Sequence, residues 1–205
     1  MTIKTGSQFR EPQPLSLRLW HWLNGLTVLL LLATVFLRKS FLSGRMMAHL
    51  IEEKLTTEKV VLSAEQAKVA AGAIRDEMWN WHFRLGFVLT GLLVFRIFLT
   101  QKPFPRLKPA FQKSKHVGLV KSLYATFYLS LLFMVLSGLT MYFSGDLHIS
   151  EKIADQIQDI HELFQWYFLG FLILHVGGVI FAENRGDAGL VSDMIHGGER
   201  PNSAK

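Results

Sequence analysis

The eight histidines are the residues of this 205-residue chain best suited to carry a cofactor, because the chain has no cysteine. Without thiolates there is no disulfide, no cysteine-bound iron–sulfur cluster and no covalent C-x-x-C-H haem attachment. Four of the histidines, His21, His82, His161 and His175, lie within or at the ends of long apolar segments. An ionisable side chain is costly inside a membrane, so each of these four needs a partner or a role.

The apolar segments that carry these histidines are long enough to cross a membrane. No charged residue occurs in Leu23–Leu37 or Ser122–Phe143, and Leu163–Ala182 has no Asp, Glu, Lys or Arg. Runs of about 17–25 apolar residues match the roughly 30 Å hydrocarbon core of a bilayer. We therefore predict an all-α membrane protein, a four-transmembrane-helix bundle that forms a single integral membrane domain over residues 1–205. The predicted spans are about 15–37, 78–100, 117–143 and 160–182.

Charge is distributed unevenly among the connections between the spans. Between Arg96 and Lys121 there are seven Lys or Arg and no acidic residue, whereas Ser144–Glu162 holds five Asp or Glu against Lys152 alone. Basic connections tend to stay on the cytoplasmic side, so both termini are predicted to be cytoplasmic and two connections to lie outside. The net charge of +6 is explained by this orientation, and no nucleic-acid partner is expected.

The connection between the first two spans, about residues 40–77, is long for a compact bundle. It contains a capping-box pattern, Ser63-x-x-Gln66, followed by alanine-rich sequence with interspersed charges. We predict an outer-side amphipathic insertion whose second half is a surface helix on the outer face, leading into the second span. The segment Lys102–Lys115 has three prolines and should be irregular, and Ser150 is a candidate cap for an early start of the fourth span.

Helical geometry sorts the four histidines into two pairs. His161 and His175 are 14 residues apart on one span, which places them on nearly the same face and about 21 Å apart along the axis. His21 lies about 9 Å from the inner end of the first span, at the depth of His175. His82 is near the outer end of the second span, level with His161. Each membrane leaflet therefore contains one pair.

Two imidazoles that face each other across a bundle core suit the two axial positions of a haem iron. Gly25 and Gly86 each follow a histidine by four residues, and a glycine there leaves room for a flat macrocycle. Arg18 shares a helix face with His21 and is a candidate partner for a haem propionate, although an arginine at this depth equally fits a lipid phosphate.

Other roles for the histidines are open at this point. Any one of them could be a packing residue that is hydrogen-bonded to a neighbouring helix. A zinc site needs three or four converging ligands, and a proton relay normally uses buried acidic residues. Two separated histidine pairs therefore suit a zinc site or a proton relay less well than they suit two haems.

Several segments, taken together, carry a family resemblance. The first span contains Arg18-Leu-Trp-His21-Trp-Leu-Asn24, and the second contains Trp81-His82-x-x-x-Gly86 and ends in Phe95-Arg96. The fourth contains His161-Glu162 and His175, and the tail reads Gly189-Leu-Val-Ser-Asp-Met-Ile-His-Gly197. In order and spacing, over about residues 15–200, they resemble the bacterial cytochrome b561 family, which includes the b-type cytochrome subunits of nickel–iron hydrogenases.

The resemblance implies a four-helix bundle with two haem b groups in its core, held without covalent attachment by bis-histidine ligation. By matching positions, His21 and His175 would ligate the haem nearer the cytoplasm, and His82 and His161 the outer one. It also implies electron exchange with the quinone pool and a multi-pass location in the bacterial inner membrane.

The expected function is that of a di-haem b-type cytochrome, which carries electrons across the membrane between an outer-side redox partner and quinone. A subunit of a membrane oxidoreductase is favoured over a stand-alone enzyme. The alternative with the same chemistry is a stand-alone quinone-linked oxidoreductase, for example from superoxide to quinone. The alternative from a different class of function is a haem-free transporter or anchor. Membrane lipid, quinone and an outer-side redox protein are the expected partners, and a homodimer is left open.

Overall fold

The protein is described from a computed structural model that covers residues 13–40, 42–100, 115–185 and 189–198, without the side chains of residues 100, 115–117 and 119–121. Throughout these ranges the regular secondary structure is α-helical. The helices are α1 (Leu15–Lys39), α2 (Gly44–Thr57), α3 (Ala64–Thr100), α4 (Lys115–Tyr142), α5 (Glu151–Asn184) and α6 (Leu190–His196).

Four of these helices, α1, α3, α4 and α5, are long and apolar enough to cross a membrane. They cover the four predicted spans except for Phe143 at the end of the third, so the all-α class and the four-span bundle are confirmed. Large apolar side chains such as Leu26, Leu129 and Ile173 are more than half exposed on these helices. Such a surface is unfavourable in water but is compatible with the hydrocarbon core of a bilayer.

The four helices run alternately up and down. The start of α1 hydrogen-bonds to the end of α6, where the Gln13 amide donates to the Gly197 carbonyl over 3.1 Å. At the other end of α1, Lys39 forms an ion pair with Glu162 near the start of α5. We call the first of these the terminus end of the bundle and the second the hairpin end.

The centre of the bundle is a small apolar core. It consists of Leu89 and Leu93 from α3, Leu131 and Val135 from α4, and Phe168 from α5. Helix α1 packs mainly on α3, and α4 mainly on α5. Between α1 and α5 the contacts come from long side chains, including the Phe36 and Trp166 rings at 5.9 Å. The bundle therefore has open space where α1 faces α5.

The predicted surface helix in the insertion is not a separate element. Helix α3 runs without a break from Ala64 to Thr100, because no proline interrupts it and Gly72 alone does not end a helix. Its 37 residues span about 55 Å, well beyond a hydrocarbon core of roughly 30 Å. The surface helix that was expected to lead into the second span is thus continuous with that span.

Two helices form a hairpin at this end of the bundle. The predicted capping box is present, since the Ser63 amide donates to Gln66 Oε1 over 2.9 Å and the Gln66 amide donates to Ser63 Oγ over 3.2 Å. Helix α2 packs against α3, and Ala67 and Ala71, one turn apart on α3, are fully buried. Small side chains at this spacing let two helices approach closely.

The ends of α5 and α6 complete the described chain. Ser150 is the N-cap residue of α5, as predicted, although its side chain makes no capping hydrogen bond. At the start of α6 the Glu183 carboxylate accepts hydrogen bonds from the amides of Gly189 and Leu190, over 2.7 and 2.9 Å. The proline-containing connection predicted to be irregular lies, except for Lys115, outside the described residues.

Candidate functional site

The first histidine pair lies at the terminus end of the bundle. The rings of His21 on α1 and His175 on α5 have centroids 6.0 Å apart and are inclined by 56°. Phe171 stacks on His175 with its ring nearly parallel, at 5.7 Å, and Tyr124 contacts His175 edge-on at 6.4 Å. Two imidazole–metal bonds of about 2 Å each fit between rings at this separation, so one metal atom could be bound by both.

The second histidine pair lines a cavity at the hairpin end. His82 on α3 and His161 on α5 both contribute to the wall of this space, which has a volume of about 660 Å³. The wall comes from all four membrane helices and is mostly apolar, with Leu31, Leu131 and Phe168 among its residues. This volume lies within the roughly 300–1,000 Å³ range of sites for organic ligands.

Both histidines of the second pair are held by hydroxyl groups. Thr34 Oγ1 on α1 lies 2.7 Å from His82 Nδ1, and Ser137 Oγ on α4 lies 2.8 Å from His161 Nδ1. Each membrane helix thus contributes one side chain to this layer. In the described chain the rings of His21 and His175 make no hydrogen bond and are positioned by aromatic contacts.

The glycines predicted to leave room for a macrocycle do leave space. A Cβ atom added to Gly25 or to Gly86 would meet no heavy atom within 4 Å, and Gly86 belongs to the cavity wall. Gly138, opposite, would place a Cβ 3.5 Å from His161 Cε1. An apolar cavity with two imidazoles and glycine on its wall fits a flat, largely apolar metal macrocycle such as haem.

Arg18, the predicted propionate partner, contacts the tail of the protein. Its Nη1 donates to the Ile195 carbonyl in α6, and Trp22 Nε1 donates to the Met194 carbonyl over 3.2 Å. Arg18 Nε is buried without a hydrogen-bond partner in the described structure. The arginine therefore joins α1 to α6 at the terminus end, and one of its donors remains available.

Sequence reasoning missed Arg38 as well as the hydroxyls of Thr34 and Ser137. Arg38 lies on the wall of the hairpin-end cavity, and its guanidinium packs over the Trp79 ring at 4.7 Å from the centroid. In the sequence it lies just beyond the end of the first predicted span. Their sequence depth places all three within about two turns of the hairpin end of the bundle, but depth alone does not indicate which side chains face the histidines.

The remaining histidines do not form a further site in the described part of the chain. His49 faces Glu53 at 3.8 Å, and its side chain is largely exposed. His148 and His196 are outside the membrane helices, and the side chain of His116 is not described. Within the described residues no three His, Cys, Asp or Glu side chains converge as metal ligands.

A four-helix membrane bundle with a histidine pair near each end belongs to the class of bundle proteins that hold a cofactor between facing helices. The chain belongs to the prokaryotic cytochrome b561 family, whose sequence model matches residues 13–197. It is therefore a prokaryotic membrane b-type cytochrome that works in electron transfer, and b-type haem is its cofactor.

One curated relative is similar to this chain over most of the length of both proteins. The chain is 27% identical over 224 residues to the probable Ni/Fe-hydrogenase B-type cytochrome subunit of Cupriavidus necator, and the alignment covers 88% of this chain and 82% of that protein. No solved structure matches the chain significantly.

Proposed function

We propose that this cytochrome holds two haem b groups and carries electrons across the membrane from one to the other. His21 and His175 would ligate the haem at the terminus end, and His82 and His161 the haem at the hairpin end. The observation that carries the proposal is the presence of two histidine pairs, on α1, α3 and α5 of one bundle, with one pair near each end. His161 and His175 are 14 residues apart on α5, or about 21 Å along the axis.

The chain's own residues favour electron transfer over the binding of a small molecule at iron. A haem iron held by two of these histidines would have no open coordination position, so it would not bind oxygen. Haem, when bound, supplies a one-electron iron couple. Between the two pairs Leu89, Leu131 and Phe168 are buried in the apolar core, which excludes water and keeps the region between the sites rigid and of low polarity.

Charged residues near each pair would hold the propionates. At the hairpin end we assign this role to Arg38, because it is a cation on the wall of the cavity that His82 and His161 line. At the terminus end we assign it to Arg18, one turn from His21, whose Nε has no partner in the described structure. Gly25 and Gly86 would provide the space for the rings.

We further propose that the protein lies in the bacterial inner membrane with both termini in the cytoplasm and the α2–α3 hairpin outside. The basic stretch from Arg96 to Lys121 and the acidic stretch Ser144–Glu162 support this orientation. Electrons would pass between an outer-side redox partner and the quinone pool. The Cupriavidus necator relative is named as a probable hydrogenase subunit, and this supports a membrane-bound oxidoreductase as that partner. Two copies of the chain could also form a homodimer.

Transmembrane electron transfer can be tested in vesicles that contain the purified protein and trapped ferricyanide, with dithionite added outside. We expect the trapped ferricyanide to be reduced only when the protein is present. The variants His161→Ala and His175→Ala should each stop this reduction, because each removes one haem from the path. His49→Ala, which changes an exposed histidine, is the control and should keep the wild-type rate.

An unchanged rate in both variants would contradict transfer through two haems. The same vesicles, with quinone in the bilayer, test whether quinone accepts the electrons and whether a partner subunit is needed. If superoxide alone reduces the quinone through the protein, with no partner subunit, the chain is a stand-alone oxidoreductase. If reduction needs an added oxidoreductase, it is an electron-transfer subunit.

A further inference from the structure

The hairpin-end site has a feature that the terminus-end site lacks: each of its histidines meets a hydroxyl group. Thr34 and Ser137 come from the two membrane helices that contribute no histidine to this layer. A hydroxyl group has one proton to donate and lone pairs with which to accept. Where that single proton goes decides which nitrogen of the neighbouring imidazole carries hydrogen.

The proton of Thr34 is used by the backbone. Thr34 Oγ1 lies 2.6 Å from the carbonyl oxygen of Leu31, and a carbonyl oxygen has no proton of its own. Two oxygens this close are favourable only with the hydroxyl proton between them. Thr34 Oγ1 is therefore the acceptor toward His82, and His82 Nδ1, at 2.7 Å, is the donor.

Ser137 has the same arrangement. Its Oγ lies 2.7 Å from the carbonyl oxygen of Phe133, so its proton is also donated to the backbone. His161 Nδ1, 2.8 Å away, must then carry hydrogen and donate it to Ser137. A neutral imidazole has only one N–H, so Nε2 of both histidines keeps its lone pair.

The geometry assigns Thr34 and Ser137 as positioning residues that hold His82 and His161 in the Nδ1–H tautomer, with Nε2 left for iron. This inference rests on the proposed haem ligation. A ligating imidazole that donates its other N–H is oriented and made more basic. A more basic ligand stabilises the oxidised iron, so these hydroxyls lower the reduction potential of the hairpin-end haem. The terminus-end haem receives no such contribution from the described chain.

The test is a redox titration of the purified holoprotein in which the two haems are resolved. Ser137→Ala and Thr34→Val should each raise the midpoint potential of one haem, and this should be the same haem in both variants. The double variant should raise its potential further. Haem affinity at that site should fall about 10- to 100-fold. The haem that shifts should be the one that is absent from His161→Ala, and the other should keep its potential.

Matched controls come from the same two helices. Ser130→Ala removes a buried hydroxyl of α4, and Thr27→Val removes a hydroxyl of α1 that, among the described residues, bonds only to the Leu23 carbonyl. Both should leave both potentials unchanged. Ser137→Thr and Thr34→Ser keep the hydroxyl and should retain the wild-type potential, which separates the hydrogen bond from a general packing defect. No shift, a downward shift, or a shift of the other haem would overturn the assignment.

The tautomer assignment can be tested even if the proposed haem binding is wrong. If the wild-type protein holds no haem, ¹⁵N NMR of its labelled histidines reads the tautomers directly. His161 should then be Nδ1–H in the wild type and a mixture of tautomers in Ser137→Ala. An Nδ1–H population that is the same in both would overturn the assignment of Ser137.

Discussion

Replacing His161 by alanine should remove one of two haems and leave the other in place. His82→Ala should remove the same haem, because both side chains line one cavity and loss of either axial ligand leaves the iron with one histidine. The double variant should lose nothing more than each single one. His21→Ala and His175→Ala should remove the other haem, because their rings lie 6.0 Å apart.

Haem content per chain and the electron paramagnetic resonance signal of the haem that remains give the readout. The remaining haem also reports that the bundle is folded, so a specific loss is distinguished from misfolding. Imidazole added to His161→Gly should restore the missing signal. If His82→Ala and His161→Ala removed different haems, or if both variants kept two, the proposed pairing would be wrong.

Filling the hairpin-end cavity at Gly86 should expel its haem without touching a ligand. Gly86 lines this cavity, and an added Cβ would meet no heavy atom within 4 Å. Leucine at this position therefore fits the haem-free bundle but occupies the volume that the macrocycle needs. We expect Gly86→Leu to retain one haem per chain, with the potential of the terminus-end haem unchanged.

Gly91 provides the matched control for this substitution. It lies on the same helix, also has open space at its Cβ position, and is exposed. Gly91→Leu adds the same volume to the outside of the bundle and should keep both haems. Two haems in Gly86→Leu, or equal loss in the two variants, would show that the cavity does not hold haem.

The spans and the depth of the histidines could be predicted from the sequence because both follow from local rules. A charge-free stretch such as Ser122–Phe143 indicates a membrane span by its length alone, and α4 covers nearly all of it. The rise per residue placed His21 at the depth of His175, and the structure brings their rings together. The Ser63–Gln66 capping box depends on only four residues and formed as expected.

The unbroken length of α3 could not be predicted because a change of polarity is not a change of secondary structure. Near Met78 the sequence turns from charged to apolar, and this marks the membrane boundary rather than a helix end. Between Ala64 and Met78 the one residue that disfavours a helix is Gly72, and a single glycine does not end it. The helix therefore continues through the boundary, and the insertion becomes a hairpin of α2 on α3.

The hydroxyl partners were missed for a different reason. Serine and threonine are common in membrane helices, where they bond to the carbonyl one turn back, as Thr27 and Thr90 do here. Whether such a hydroxyl also meets a histidine depends on how neighbouring helices are rotated about their axes. Thr34 and Ser137 differ from Thr27 and Thr90 in that they meet a histidine, which local sequence does not encode.

The central claim is that this b-type cytochrome binds two haems through two histidine pairs. A reduced-minus-oxidised spectrum of the purified protein, with the pyridine haemochrome measured against protein concentration, tests it most directly. We predict a b-type spectrum and two haems per chain. A stoichiometry of one, or the absence of haem absorbance, would contradict the claim.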